Sequence, residues 1–190
     1  MVAGGRSARM GRDKAALPWG GGDLLDHAVA TLSAVTGDVR ILCGPDMRYE
    51  DRGRPVIADA VADVGGLAAL VTALRALEAA QTAVLIAVDL PLVRADLLRE
   101  LLARSEGWDV VVPVSPSGAE PFAAVYRASC REAVEQACAE GRLKMTAFWR
   151  DVRVREVPAQ ELSAFGDPAQ VFCNVNTPGE YARAKALAGA

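Results

Sequence analysis

The sequence predicts an α/β fold: a single Rossmann-like, three-layer domain over residues 1–190 with a mainly parallel central sheet. Three observations carry this expectation. Short apolar, β-branched runs alternate with segments of helical period along the whole chain, which is the pattern of a sheet covered by helices. A length of 190 residues suits one hydrophobic core. No repeat, low-complexity tract or linker divides the chain, and Gly20-Gly21-Gly22 reads as a loop.

Each element follows from its local pattern. Residues 39–42 are short, apolar and β-branched, as in a buried strand. Ala83 to Val88 is the clearest strand and Trp108 to Val114 another, with a continuous valine-rich run of the kind buried on both faces. Phe122 to Tyr126 is a fourth strand, and Val152 to Val157 alternates like a half-exposed edge. Between them lie helices. Leu25 to Val35 places Leu25, Ala28, Val29, Leu32 and Val35 on one face. Leu67 to Ala80 repeats Leu67, Leu70, Val71, Leu74 and Leu77 at three- and four-residue spacing. Arg94 to Arg104, Ser129 to Glu140 and Pro178 to Leu187 complete the set, the last with Thr177 as N-cap and Pro178 in the first turn.

Composition narrows the function. Hydrophobic residues make up 52% and charged residues 24%, as in an ordinary globular chain. A net charge of −3 gives no general pull toward nucleic acid. No apolar run approaches the roughly 18 residues of a membrane span. The start, Met1-Val2-Ala3-Gly4-Gly5-Arg6, lacks the apolar block of a secretory signal, so the cytoplasm is the expected location. Strands run about five residues. Only Met1-Val2-Ala3 precede the glycines, so the first strand is short or the native start lies upstream. Cys43, Cys130, Cys138 and Cys173 form no C-x-x-C pair and read as free thiols rather than a zinc site. The only histidine, His27, opens an amphipathic helix and reads as a surface residue.

The stretch Ala3-Gly4-Gly5-Arg6-Ser7-Ala8-Arg9-Met10-Gly11-Arg12-Asp13-Lys14 is the most informative. Glycines let the backbone approach a phosphate and aim N–H groups at it. Arg9 and Lys14 add positive charge, lysine being a compact phosphate ligand. The spacing fits neither the P-loop nor the G-x-G-x-x-G pattern. Downstream, Asp89 follows the best strand, at the sheet edge where open α/β folds bind ligands. Asn174 and Asn176 alternate, and so project to the same side of an extended segment.

Gly4-Gly5-x-Ser7-x-Arg9-Met10-Gly11-x-Asp13-Lys14 resembles the signature of the molybdenum cofactor guanylyltransferases. These are relatives of the sugar-phosphate and sugar-alcohol nucleotidylyltransferases, whose loop usually begins Ala-Gly and ends Pro-Lys. The resemblance implies that Ala3, Gly4 and Gly5 shape a base and phosphate cradle and that Lys14 contacts phosphate. Val88-Asp89-Leu90-Pro91 matches the family's Asp-x-Pro, which implies Asp89 as ligand of Mg²⁺, a cation that favours carboxylate and phosphate oxygens. Asp59, followed by Gly65-Gly66-Leu67-Ala68-Ala69, resembles the family's aspartate and Gly-Pro-Leu-Ala-Gly at the nucleotide base. Here Gly66 stands for the proline and Ala69 for the last glycine. Asp63 competes with Asp59 and reads rather as a surface acid. Glu120-Pro121-Phe122-x-Ala124-x-Tyr126 resembles a turn and strand lining the acceptor side, or reads as a plain hairpin. Lys144, Asn174 and Asn176 match acceptor-binding positions.

Together the matches imply one nucleotidyltransferase domain over residues 1–190. Its substrates would be GTP and a molybdopterin acceptor, with Mg²⁺ as cofactor and a molybdoenzyme or its chaperone as a further partner; neither nucleic acid nor membrane is implied. The terminal phosphate of molybdenum-molybdopterin would attack the α-phosphorus of GTP and release pyrophosphate. Asp89, Lys14 and Arg9 are the expected catalytic residues. Asp59, Gly65 and Gly66 join Ala3, Gly4, Gly5, Lys14 and Asp89 at the nucleotide. Two alternatives stay open on the residues alone: a relative using CTP or another phosphorylated acceptor, and a non-catalytic nucleotide-binding partner of a molybdoenzyme.

Overall fold

The computed structural model describes residues 1–4, 13–61, 64–79 and 81–189. After a 3-10 turn over Lys14–Ala16, a small hairpin, β1 (Pro18–Trp19) and β2 (Gly22–Asp23), leads into α1 (Leu24–Ser33). Then come β3 (Ile41–Leu42), β4 (Val56–Ile57), α2 (Gly66–Arg75), β5 (Thr82–Ile86) and α3 (Ala95–Ala103). The second half holds β6 (Val110–Ser115), β7 (Gly118–Ala119), β8 (Ala123–Arg127), α4 (Arg131–Ala139) and β9 (Val154–Pro158). Two short helices, α5 (Ala159–Leu162) and α6 (Pro168–Val171), precede α7 (Pro178–Ala188).

The start of the chain joins the sheet together. β3 and β4 pair in parallel. Val2 bridges in parallel to both Leu42 and Ala87, so the first residues lie between β3 and β5. β5 pairs antiparallel with β8, β8 antiparallel with β6, and β6 parallel with β9. β7 folds back on β6. The strand order is therefore β4, β3, Met1–Ala3, β5, β8, β6, β9, with Ala83–Val88 in the middle as expected.

The sheet is mixed, which corrects the expectation of a mainly parallel one. β8 runs against both its neighbours. The chain between Ser115 and Ala123 is spent on the β6–β7 hairpin, with Gly118 at φ +116°, and on the Glu120-Pro121 turn. A parallel return needs a crossover of about a dozen residues or more.

Helix limits follow from caps. Asp23 accepts the Asp26 N–H and Asp26 reaches back to the Asp23 N–H, a capping box that starts α1. Leu24, Leu25, Ala28 and Leu32 are its buried face. α2 stops at Arg75, short of the expected Ala80. Arg40 takes the Ala76 carbonyl and Arg131 takes those of Leu74 and Leu77, so cationic side chains satisfy the helix end. Thr177 caps α7 and Pro178 opens it, as expected. α2 packs on α4, while Arg99 of α3 donates to the Ala34 carbonyl at the end of α1.

One core runs through these elements, β2 excepted. Tyr126 and Phe148 are its largest fully buried side chains, with ring centroids 6.4 Å apart. Tyr126 donates its hydroxyl to the Pro121 carbonyl at 2.7 Å, so burying it strands no polar group. All four cysteines are free, Cys43 and Cys130 fully buried. Among the described residues, no helix is long and apolar enough to cross a membrane.

Asp109 ties β6 to β9. It accepts the Arg153 backbone N–H at 3.0 Å, the Arg153 guanidinium at 3.0 and 3.2 Å, and the Ser129 hydroxyl at 2.8 Å. These donors, the Arg153 side chain foremost, hold its carboxyl well below the usual carboxylate range. The fold therefore favours the ionised form. Its stabilisation is complete above the unfolded value of about 3.9 and is lost as pH falls below it. Asp109→Asn is expected to cost on the order of 1 kcal/mol at pH 7, or about 2–4 °C in melting temperature. At pH 3 the gap to the parent should narrow. Thermal melts of both proteins at the two pH values check this, and a gap that grows in acid would refute it.

Candidate active site

Two neighbouring parallel segments end at the same sheet edge. One delivers Ala3 and Gly4, the other Asp89. A crevice outside the carboxyl ends of the strands is where such folds bind ligands. The Val88 N–H donates to the Val2 carbonyl at 2.9 Å, which aligns the two exits. Gly4 lies so close to Gly44 that a Cβ on it would meet the Gly44 Cα and N at 2.9 Å. Glycine is required there by close backbone approach.

Asp89 is held by its surroundings. Its carbonyl accepts the Val175 N–H at 2.9 Å. Two residues on, the Pro91 carbonyl lies 2.8 Å from His27 Nε2. His27, expected at the surface, is instead half-buried against Trp19, ring centroids 5.8 Å apart. It braces the Asp89 loop from α1.

Lys14 enters from the other side. Asp13 caps the 3-10 turn of Lys14–Ala16 by accepting the Ala15 N–H at 3.0 Å. Lys14 Nζ then lies 2.6 Å from Asp89 Oδ2 and 2.9 Å from Asn176 Oδ1. The lysine and aspartate side chains are only 15% and 19% exposed, so the pair is shielded from bulk screening. Ala3, Gly4, Lys14, Asp89, Asn174 and Asn176 share one cleft of about 260 Å³, with Phe122 on its wall. The asparagine segment reaches it because the Asn176 N–H is anchored on Glu180 in α7.

Other expected residues lie off this wall. Gly65 opens α2 at φ +58°, a left-handed conformation suited to glycine. A Cβ on Gly66 would meet Phe122 Cζ at 2.7 Å and Met145 Cγ at 3.3 Å. The Phe122 ring therefore accounts for glycine at this position. Through Phe122, the start of α2 adjoins the cleft. Asp59 donates its backbone N–H to the Gly44 carbonyl at 2.8 Å. Its Oδ1 is buried without a hydrogen-bond partner among the described residues, and burial raises its carboxyl pKa. An acceptor in that state is suited to ligand N–H donors. Lys144 is exposed and is not among the residues lining the cleft. Gly5 and Arg9, with Arg6, Arg12 and Asp63, lie outside the described residues.

Two side chains had no signal in the sequence. Tyr49 donates its hydroxyl to Asp13 Oδ2 at 2.6 Å, and Arg48 Nη1 lies 3.7 Å from the same oxygen. They come from the β3–β4 loop, which no motif marks. Glu120 accepts the Ser115 hydroxyl at 2.7 Å, and its burial pushes the carboxyl pKa up.

The donor set bears on a metal. Among the described residues, no group of three or more His, Cys, Asp or Glu comes together as a metal site. Of the two aspartates that line the cleft, Asp89 lies beside a cation and an amide, while Asp13 accepts the Ala15 N–H and the Tyr49 hydroxyl. One carboxylate fits Mg²⁺, which keeps several waters and takes substrate phosphates as its other ligands.

Residues 1–156 match the model of the MobA-like NTP transferase domain. The chain is 34% identical over 188 residues to a Pelotomaculum thermopropionicum protein named probable molybdenum cofactor guanylyltransferase, covering 99% of this chain and 91% of that one. It is 28% identical to the molybdenum cofactor guanylyltransferase of Desulfosudis oleivorans, covering 98% and 93%. Among solved structures, molybdopterin-guanine dinucleotide biosynthesis protein A of Archaeoglobus fulgidus superposes with a TM-score of 0.81 at 25% identity, covering 99% and 96%.

Gly4→Ala tests the close approach. The new methyl meets backbone rather than a side chain that can swing away, so the exits of the Met1–Ala3 segment and of β3 must part. A stability loss of about 1–3 kcal/mol is expected by urea denaturation. A change under about 0.5 kcal/mol would show that the two backbones have room to spare.

Proposed function

The chain belongs to the MobA-like NTP transferase family, and we infer from that membership and the cleft that it is a molybdenum cofactor guanylyltransferase. It moves GMP from GTP onto the terminal phosphate of molybdenum-molybdopterin. A phosphate oxygen of the acceptor bonds to the α-phosphorus, the α–β bridge breaks, and pyrophosphate carries away the electron pair. The observation that carries the reading is the Lys14–Asp89–Asn176 constellation at the sheet edge.

The reaction asks for positioning and charge neutralisation rather than a protein nucleophile. An ionised phosphate needs no general base, which accords with His27 serving as a brace. Lys14 offers the triphosphate a shielded positive charge, and Asp89 and Asn176 keep that ammonium aimed into the cleft in the meantime. Asp89 is the residue to hold Mg²⁺, which when bound neutralises phosphate charge. Arg9 lies on the same loop sequence and adds to that neutralisation. Ala3, Gly4 and Gly5 let phosphate approach the backbone. Asp59, whose buried Oδ1 has no hydrogen-bond partner among the described residues, and Gly65-Gly66 at the start of α2 serve the guanine base. Asn174 and Asn176 face the acceptor, and Lys144 meets its phosphate from the exposed turn beside Met145. The reading places the protein in the cytoplasm.

Three outcomes test this. In thermal melts with Mg²⁺, GTP should raise the melting temperature more than CTP, since a ligand that binds only the native state stabilises it by mass action. An equal or larger shift with CTP would overturn the guanine assignment. In steady-state kinetics, Asp89→Ala should lower turnover by about 10²-fold or more with the circular dichroism spectrum intact. Lys14→Ala should weaken GTP affinity as well as turnover, because its charge meets phosphate in ground and transition states alike. Near-normal turnover by Asp89→Ala would remove the proposed metal ligand and the mechanism with it.

A further inference from the structure

The β3–β4 loop carries a device that the reaction as described leaves unused. Among the described residues Tyr49 alone, other than glycines, has a positive φ, +69°. A bulky side chain rarely adopts that conformation, and it persists only where the surroundings over-determine it. Here the surroundings are specific. The Tyr49 hydroxyl donates to Asp13 Oδ2 at 2.6 Å. The Arg48 guanidinium lies over the Tyr49 ring, 5.1 Å from its centroid. Its Nη2 donates to the Cys43 carbonyl at 2.9 Å and the Ala3 carbonyl at 3.4 Å. Arg48 thus ties the loop to the exits of two strands, those that end at Cys43 and at Ala3.

Asp13 links this loop to the cleft. Its Oδ2 takes the tyrosine hydroxyl while its Oδ1 takes the Ala15 N–H. That second bond caps the turn whose first residue is Lys14. From that turn Lys14 reaches Asp89 and Asn176. Burial, and then the bond to Asp13, push the Tyr49 hydroxyl pKa far above its ordinary value, so it remains a donor throughout the neutral range. Without that donor Asp13 retains the Ala15 N–H and the Arg48 charge at 3.7 Å. The turn would keep its cap and lose its lateral tether.

We propose that Tyr49 is a positioning residue. Its hydroxyl holds Asp13, and through Asp13 the turn that aims Lys14, so that the β3–β4 loop sets the affinity of the cleft for a nucleoside triphosphate. The inference rests on the assignment of Lys14 to the triphosphate.

The test is a double-mutant cycle on GTP affinity, measured by calorimetric titration with Mg²⁺. Tyr49→Phe keeps the ring, the cation–π contact and the strained backbone, and removes only the hydroxyl. It should weaken GTP binding by about tenfold, as expected when a hydrogen bond to a charged group is lost. Combined with Lys14→Ala, it should cost less than threefold beyond Lys14→Ala alone, because the lysine it positions is gone. Unchanged affinity in Tyr49→Phe, or a loss repeated in full in the Lys14→Ala background, overturns the inference; the latter would mark a general effect on the loop. If Lys14→Ala itself binds GTP like the parent, the functional assignment of Lys14 fails and the inference falls with it. Those results are distinct in the same set of four titrations.

Discussion

The architecture depends on three residues of backbone pairing. Val2 donates its N–H to the Ile86 carbonyl and accepts the Val88 N–H, while the Leu42 N–H meets the Met1 carbonyl and the Ala3 N–H meets the Leu42 carbonyl. These bonds join the β3–β4 pair to the five strands on the other side. They also decide where chemistry can occur. The chain leaves this central segment at Gly4, and the adjoining strand leaves at Asp89, so two residues far apart in sequence are delivered to one edge. Each such bond contributes only about 1 kcal/mol net. Their importance lies in register, since a slip of one residue would turn the Asp89 side chain to the other face.

Within that frame, the site holds its charges in reserve. A partly buried lysine and aspartate neutralise one another, which lowers the cost of keeping either shielded from water. A polyanion and its accompanying cation present each partner with a replacement of its own preferred sign. On the proposed function, the pair is therefore both a structural contact and a site of exchange. Asn176 contributes an uncharged acceptor to the lysine, and such a contact does not have to be broken to let a phosphate approach.

What the sequence revealed depended on whether the signal was local. Helical stripes such as Leu67, Leu70, Val71 and Leu74 were legible because one face of a helix must be buried. Lys14, Asp89 and Asn176 were legible because each ends a strand or sits in an ordered motif. Their mutual contact was not, since 75 and 162 residues separate Lys14 from its two partners and spacing does not encode proximity. The direction of β8 was hidden for a related reason: Ala123–Arg127 reads alike up or down the sheet, and only the short connection behind it fixes the sense. β4 consists of two residues, too few for periodicity. Tyr49 was invisible because nothing in a sequence marks a non-glycine residue that will adopt positive φ. His27 was misjudged because its brace is a carbonyl in a distant loop.

The margins of the sheet have a consequence for how the protein behaves among its own copies. β9 is one margin, paired among the described residues only on its β6 side. It carries Arg155 and Glu156 along its length and ends on Pro158, which has no N–H to give. The opposite margin, β4, offers only Val56 and Ile57. Open strands recruit strands from other molecules, and charge, proline and brevity are the usual deterrents. Both borders carry one or more of them, so the continuous valine run of β6 stays sealed in the interior. At high concentration the chain is thereby guarded against edge-to-edge polymerisation.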